Sequence, residues 1–130
     1  MDYKEKIQIT WERFDQIYYK IEQEYDTKTA NNSLTFIINT ILYLGNIINN
    51  ESKNLLDDEF CEKCIDEIIL SGSRILGEEL CINVVNAISE FIYNTYDFSN
   101  KNTIKMEFNA LIISIKNAIE SKQITTDYLE

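Results

Sequence analysis

Cys61 and Cys64 stand two residues apart, the spacing at which paired thiols hold zinc or exchange disulfides. A tetrahedral zinc site needs about four ligands, yet the chain has no His and only one further thiol, Cys81. A redox pair of this kind sits where a strand runs into a helix, and no strand pattern precedes it. The cysteines therefore read as small buried apolar side chains of a reducing compartment, and three are too few for a disulfide framework. Paired acids fare no better. Glu78 and Glu79 are adjacent, so on a helix they point about 100° apart and do not converge on one substrate. The sequence holds no His for general-base work, no Gly-rich phosphate loop, and no Ser or Cys beside an activating partner. It reads as a chain that binds rather than catalyses, with no metal and no cofactor. The glycosylation sequons at Asn31 and Asn50 are idle in a protein that stays in the cytoplasm.

Charge is the next signal. The net charge of -10 opposes unaided binding to nucleic acid or to an anionic membrane, both of which need Lys and Arg to replace counterions. The acids are concentrated: residues 51–90 hold ten of them against Lys53, Lys63 and Arg74. Asp57, Asp58 and Glu59 can be ordinary carboxylates at a helix start, stabilised by the helix dipole. They can equally belong to an acidic face that steers a basic partner. Residues 1–11 alternate charged and apolar side chains, unlike a secretory signal. The most apolar run, residues 34–48, contains Asn39, Thr40 and Asn46 and falls short of the roughly 20 residues of a bilayer span. Residues 123–130 are polar, so no membrane anchor is visible and a cytoplasmic location is expected.

The elements that would position these groups are helical throughout. With 130 residues, 45% of them hydrophobic, no Pro and three Gly, the chain suits one domain, residues 1–130. Its 22 Ile and 14 Asn suggest an AT-rich genome, viral or bacterial. Ile7, Trp11, Phe14, Tyr18, Ile21 and Tyr25 recur at spacings of three and four, which predicts a long amphipathic first helix. Asn31-Asn32-Ser33 offers caps for a second helix through Leu34, Ile37, Ile38, Ile41, Leu44 and Ile48, apolar enough to sit deep. A third helix is expected from about Asn54, carrying Leu56, Phe60, Cys64, Ile65, Ile68 and Ile69 inward to a break at Ser71-Gly72-Ser73. A fourth, from about Arg74 to Tyr96, carries Leu80, Cys81, Val84, Val85, Ile88, Phe91 and Ile92 and is expected to be the central apolar helix. After a polar turn at 97–102, a fifth runs from about Thr103 to Lys122 on Ile104, Phe108, Leu111, Ile115 and Ile119. The fold class is an all-α, single-domain helical bundle.

From the third helix onward the chain resembles the poxviral Bcl-2-like proteins. The resemblance rests on an acidic helix start with Cys before Glu-Ile-Ile (Asp57-Asp58, Cys64, Glu67-Ile68-Ile69), a break, the long apolar helix from Leu80 to Tyr96, and Asn109-Ala110-Leu111 opening the last helix. Two stretches also resemble cellular Bcl-2 proteins. Ile41-Leu42-Tyr43-Leu44-Gly45-Asn46 is similar to a Leu-x-x-x-Gly-Asp core, and residues 71–78 are loosely similar to Gly-x-Asn-Trp-Gly-Arg. In the second stretch the glycines are one residue too far apart, Trp is absent, and Glu78 stands where Arg would pair with an Asp of a pro-apoptotic helix. An acid there repels that Asp.

The resemblance implies a Bcl-2-like bundle acting inside the host cell on a host signalling or pro-apoptotic protein. It also implies a partner groove at Ile41, Leu44, Gly45, Arg74, Glu78 and Cys81, and a homodimer whose face includes Trp11, Arg13, Tyr18 and Phe108. Glu78 moves the expected role from apoptosis toward damping of NF-κB signalling. The alternative is an acidic helical inhibitor, such as a bacterial toxin immunity protein or a nucleic-acid mimic, which the charge supports.

Overall fold

The computed structural model describes residues 1–50 and 58–130, the side chains of Asp58, Phe60 and Cys61 excepted. Among the described residues five helices follow one another: α1 (Tyr3–Glu24), α2 (Thr27–Asn49), α3 (Asp58–Leu76), α4 (Glu78–Thr95) and α5 (Lys101–Glu120). No strand occurs among the described residues. The expected start of the third helix near Asn54 and the inward placement of Leu56 and Phe60 lie outside the described residues.

Side-chain caps set most helix starts. The Asp2 carboxylate accepts from the Glu5 amide at 2.9 Å and that of Asp26 from the Thr29 amide at 2.6 Å. Asn100 Oδ1 accepts from the amides of Asn102 and Thr103. Each satisfies donors that a first turn leaves open. Asp26 therefore starts α2 several residues before the expected Asn31-Asn32-Ser33 cap. Those residues lie inside the helix, where Asn32 and Ser33 are buried.

The expected break at Ser71-Gly72-Ser73 does not occur either. Helix α3 runs through it, and the Ser73 hydroxyl bonds back to the Ile69 carbonyl at 2.7 Å. The break falls at Gly77, whose φ of +85° is open to glycine and strained for other residues. This one residue closes α3, its amide donating to the Ser73 carbonyl, and opens α4, its carbonyl accepting from Cys81. A Cβ at Gly77 would meet nothing within 4 Å. Gly77→Ala is thus expected to cost only the backbone term, about 1–3 kcal/mol for this extended positive-φ conformation, measured as a lower urea midpoint at an unchanged slope.

Helix α2, rather than α4, is the centre of the bundle. It packs on each of the other four helices. Twelve of its 23 residues are buried, against six of 18 in α4. The reason is that α2 carries apolar side chains around most of its circumference, whereas α4 exposes Glu78, Glu79, Asn83, Asn86 and Glu90 on one side. Phe14, Phe108, Ile37, Ile38, Ile41, Leu111 and Ile115 are almost wholly enclosed. Each removes apolar surface from water at roughly 25 cal/mol per Å².

A buried polar cluster fixes the end of α4. Lys6 and the buried Glu107 form an ion pair, and the other oxygen of Glu107 accepts from the Asp97 amide at 3.0 Å. Tyr96 shares a 2.7 Å hydrogen bond with Thr10, which also donates to the Lys6 carbonyl. These contacts join α1, the α4–α5 turn and α5 across about a hundred residues of sequence, and they set the position of Phe98. Burial pushes the Tyr96 hydroxyl up to about 12; Glu107 adds to the shift and the Thr10 bond opposes it. An acid whose folded pKa is raised binds its proton more tightly when folded. The Tyr96 contribution is therefore complete below pH 10 and lost as pH rises from about 10 to about 12. Absorbance titration of the phenolates should show a late-titrating fraction, to which Tyr43 also contributes, that loses one tyrosine in Tyr96→Phe.

Candidate functional site

An uncharged cleft opens between α2, α3 and α4. Thr40, Ile41 and Leu44 of α2 form its floor with Val85, Ile88 and Ile92 of α4. Cys64, Ile65 and Ile68 of α3, Ser89 and Tyr93 of α4, and Phe98 beyond α4 complete it. Among the described residues no ionisable acid or base other than Cys64 and Tyr93 lines it. Three helices form it because α3 and α4, joined by Gly77 alone, pack on each other and on α2, and the lining residues lie toward the end of the hairpin away from Gly77. Phe98 closes that end, stacked on Tyr93 with ring centres 4.5 Å apart and set edge-on to Phe108 at 5.8 Å. The rim stays open: Ile65 is 39% and Tyr93 52% exposed. Ile65, expected to point inward, therefore stands at the edge of the cleft.

The surrounding surface is acidic. Glu59, Glu62, Asp66 and Glu67 of α3 and Glu78, Glu79 and Glu90 of α4 are exposed, against the exposed cations Lys63 and Arg74. At one edge Tyr43 of α2 donates to a Glu67 carboxylate oxygen at 3.0 Å. Its hydroxyl is pushed up to about 12 by loss of solvent and by that bond.

The six groove residues expected from the sequence are not brought together. Ile41 and Leu44 line the cleft. Gly45 instead faces α5, where a Cβ would fall 1.9 Å from Ile112 Cδ1. Arg74 lies exposed in the last turn of α3 and Glu78 exposed in the first turn of α4. Neither lines the cleft, because the break falls at Gly77, after Arg74. Cys81 is fully buried under Gly72, with its Sγ 3.6 Å from the Ile69 carbonyl oxygen that accepts from it. Burial pushes this thiol up, so it stays protonated near neutral pH.

The four residues expected on one dimer face are likewise dispersed. Phe108 is 1% exposed and belongs to the core. Trp11 turns toward α5, its indole donating to Ser114 Oγ at 2.9 Å. Arg13, two positions on and hence about 200° around the helix, turns toward α4 and lines a groove with Lys20, Glu24 and Asn83. There it donates to Gln16 at 3.2 Å, while its Nε is buried with no hydrogen-bond partner. Tyr18 is half-buried and edge-on to Tyr19.

No protein-family model, curated protein or solved structure matches this chain. Among the described residues, no helix is long and apolar enough to cross a membrane, and no group of three His, Cys, Asp or Glu could hold a metal. Cys64 is buried in the cleft wall; the side chain of its sequence partner Cys61 lies outside the described residues. Sequence reasoning had placed Val85, Ile88 and Ile92 in the core and left Tyr93 unassigned. The signal that could have found the rim is Tyr93, a large side chain beside Asn86, Ser89 and Glu90 on a polar face of its helix; Ile65, beside Ile68 and Ile69, carries no such signal.

Proposed function

We propose that this chain is a viral Bcl-2-like binding domain that occupies a host signalling protein by taking one amphipathic helix of it into the cleft between α2, α3 and α4. The observation that carries this reading is an apolar three-helix cleft with an open rim, set in an acidic surface. A helix-in-groove complex needs an apolar slot for anchors at positions i, i+3 or i+4, and i+7. Charge decides which helix. Arg74 and Glu78 lie off the cleft, so among the described residues no cation lines it for the Asp of a pro-apoptotic helix, and the acids around it disfavour one. A helix with basic flanks fits better, which supports the NF-κB role over the apoptotic one.

The test is a parallel capture from vertebrate cells with the unaltered protein and with Ile65→Glu and Tyr93→Glu. Both residues are exposed, so the fold should survive, as circular dichroism would verify. Retention of an innate-signalling protein by the unaltered chain, and its loss from both variants, is the expected result. Equal retention by all three would remove the cleft from the account. Sub-micromolar binding of several pro-apoptotic helices would reverse the choice of pathway.

The acidic surface of α3 and α4 also favours a second reading, an inhibitor of a basic protein such as a nuclease. That complex should weaken steeply between low and physiological salt, whereas an apolar cleft complex should weaken only mildly.

A further inference from the structure

After α5 the chain turns back and runs along α2 as an irregular strap, residues 121–130. The turn has the hydrogen bonds of a Schellman cap: the Gln123 amide donates to the Ala118 carbonyl and the Lys122 amide to that of Ile119, both at 3.0 Å. Lys122 occupies the left-handed position at φ +61°, normally held by Gly or Asn.

Polar side chains of α2 then grip the main chain of the strap. Asn32 does so at two points, its Nδ2 donating to the Leu129 carbonyl at 3.1 Å and its Oδ1 accepting from the Leu129 amide at 2.7 Å. Thr35 donates to the Thr125 carbonyl at 3.4 Å and Asn39 to that of Thr126 at 3.3 Å. Spaced by three and four, these residues share one face of α2. Two strap side chains, Ile124 and Tyr128, seat half-buried against the core, Ile124 lining a recess with Leu34 and Ile119 and Tyr128 lining one with Phe36 and Tyr43.

We infer that residues 124–129 are a detachable ligand of this α2 face, and that a second copy of the chain supplies the same residues in trans, giving a dimer by strap exchange. The face already fits its occupant, since every bond and seat just named is kept when the strap comes from another copy. What changes is the hinge. Opening the cap releases Lys122 from a conformation that side chains avoid, and this offsets part of the cost of association. A short tether holds the strap at an effective concentration of roughly millimolar, so the closed single copy prevails in dilute solution. This dimer differs from one built on the faces of α1 and α5.

Sedimentation of the 130-residue chain from about 10 µM to about 1 mM, a range that reaches the tether's effective concentration, tests the proposal. The dimer fraction should rise across it. Lys122→Ile puts a β-branched residue where it fits worst, so its dimerisation midpoint should fall about tenfold; Lys122→Gly relaxes the cap and should raise the midpoint about tenfold. Releasing the strap outright, by adding Ile124→Asp and Tyr128→Asp to Lys122→Ile, should return it to a single copy with its helical content intact. Isotope-filtered spectra of mixed labelled and unlabelled Lys122→Ile chains should place Asn32 of one copy beside Leu129 of another. The inference fails if folded Lys122→Ile stays a single copy up to about 1 mM, or if its dimer survives release of the strap by Ile124→Asp and Tyr128→Asp.

Discussion

Glu107→Ala is expected to lower the unfolding free energy by about 3–5 kcal/mol, the usual cost of breaking a buried ion pair by deleting one partner. The loss is large against the roughly 5–15 kcal/mol of a domain this size. Two groups are left behind: the Lys6 ammonium, whose side chain is only 15% exposed, and the Asp97 amide, which gives up its acceptor. Glu107→Gln should cost less, because an amide oxygen can still accept from Asp97 while Lys6 extends toward water along its own stem. Replacing both partners, as Lys6→Met with Glu107→Leu, should recover most of the loss, leaving chiefly the Asp97 amide unmatched. Urea unfolding of the four proteins orders them directly. A cost below about 1 kcal/mol for Glu107→Ala would mean that the pair behaves as a solvent-screened one.

Gly72→Val should be the most damaging substitution at any glycine, about 3 kcal/mol, the upper end of what overpacking a close-packed site costs. A Cβ at Gly72 alone would fall 2.6 Å from Cys81 Sγ and from two ring atoms of Phe36. The ring is buried in the core and cannot swing away. Gly72→Ala should also destabilise, by less, because the helix gains back about 1 kcal/mol when a Gly is replaced. Gly45 gives the contrast. Among the described residues a Cβ there would crowd the side chain of Ile112, whose flexible end can shift, so Gly45→Ala should be near neutral in the same measurement. Equal effects at the two sites would show that the α2–α3–α4 contact is less tight than its geometry.

How far the residues foretold this arrangement depends on what each one signals. The three-and-four spacing through Phe14, Tyr18 and Ile21 reports one buried stripe, and α1 forms on it. The same logic made α2 deep, and it is. Gly72 misled because a glycine inside a helix can serve close approach instead of termination, and spacing does not distinguish the two. Gly77, one residue from a pair of acids that suit a helix start, carried the break. The groove suffered from that displacement: a hairpin turning at Gly77 leaves Arg74 and Glu78 at the tip, away from Ile41 and Leu44. The strap left almost no trace in composition, because side chains of α2 recognise its main chain, and main-chain atoms carry no residue identity. Asn32, Thr35 and Asn39, three polar residues on one face of an otherwise apolar helix, are the clue that was legible.

Because α2 touches every other helix, its amides cannot reach solvent until the whole bundle comes apart. Hydrogen exchange at Ile37 and Ile38 should therefore report global unfolding and slow in step with overall stability. Among the described residues, helices α3 and α4 meet the other helices through α2 and, for α4, α1. They should exchange through a smaller opening that leaves α1, α2 and α5 assembled, with a weaker dependence on denaturant. Such a pattern would make the hairpin a separate cooperative unit, and the cleft would lie along the seam where that unit parts from the rest.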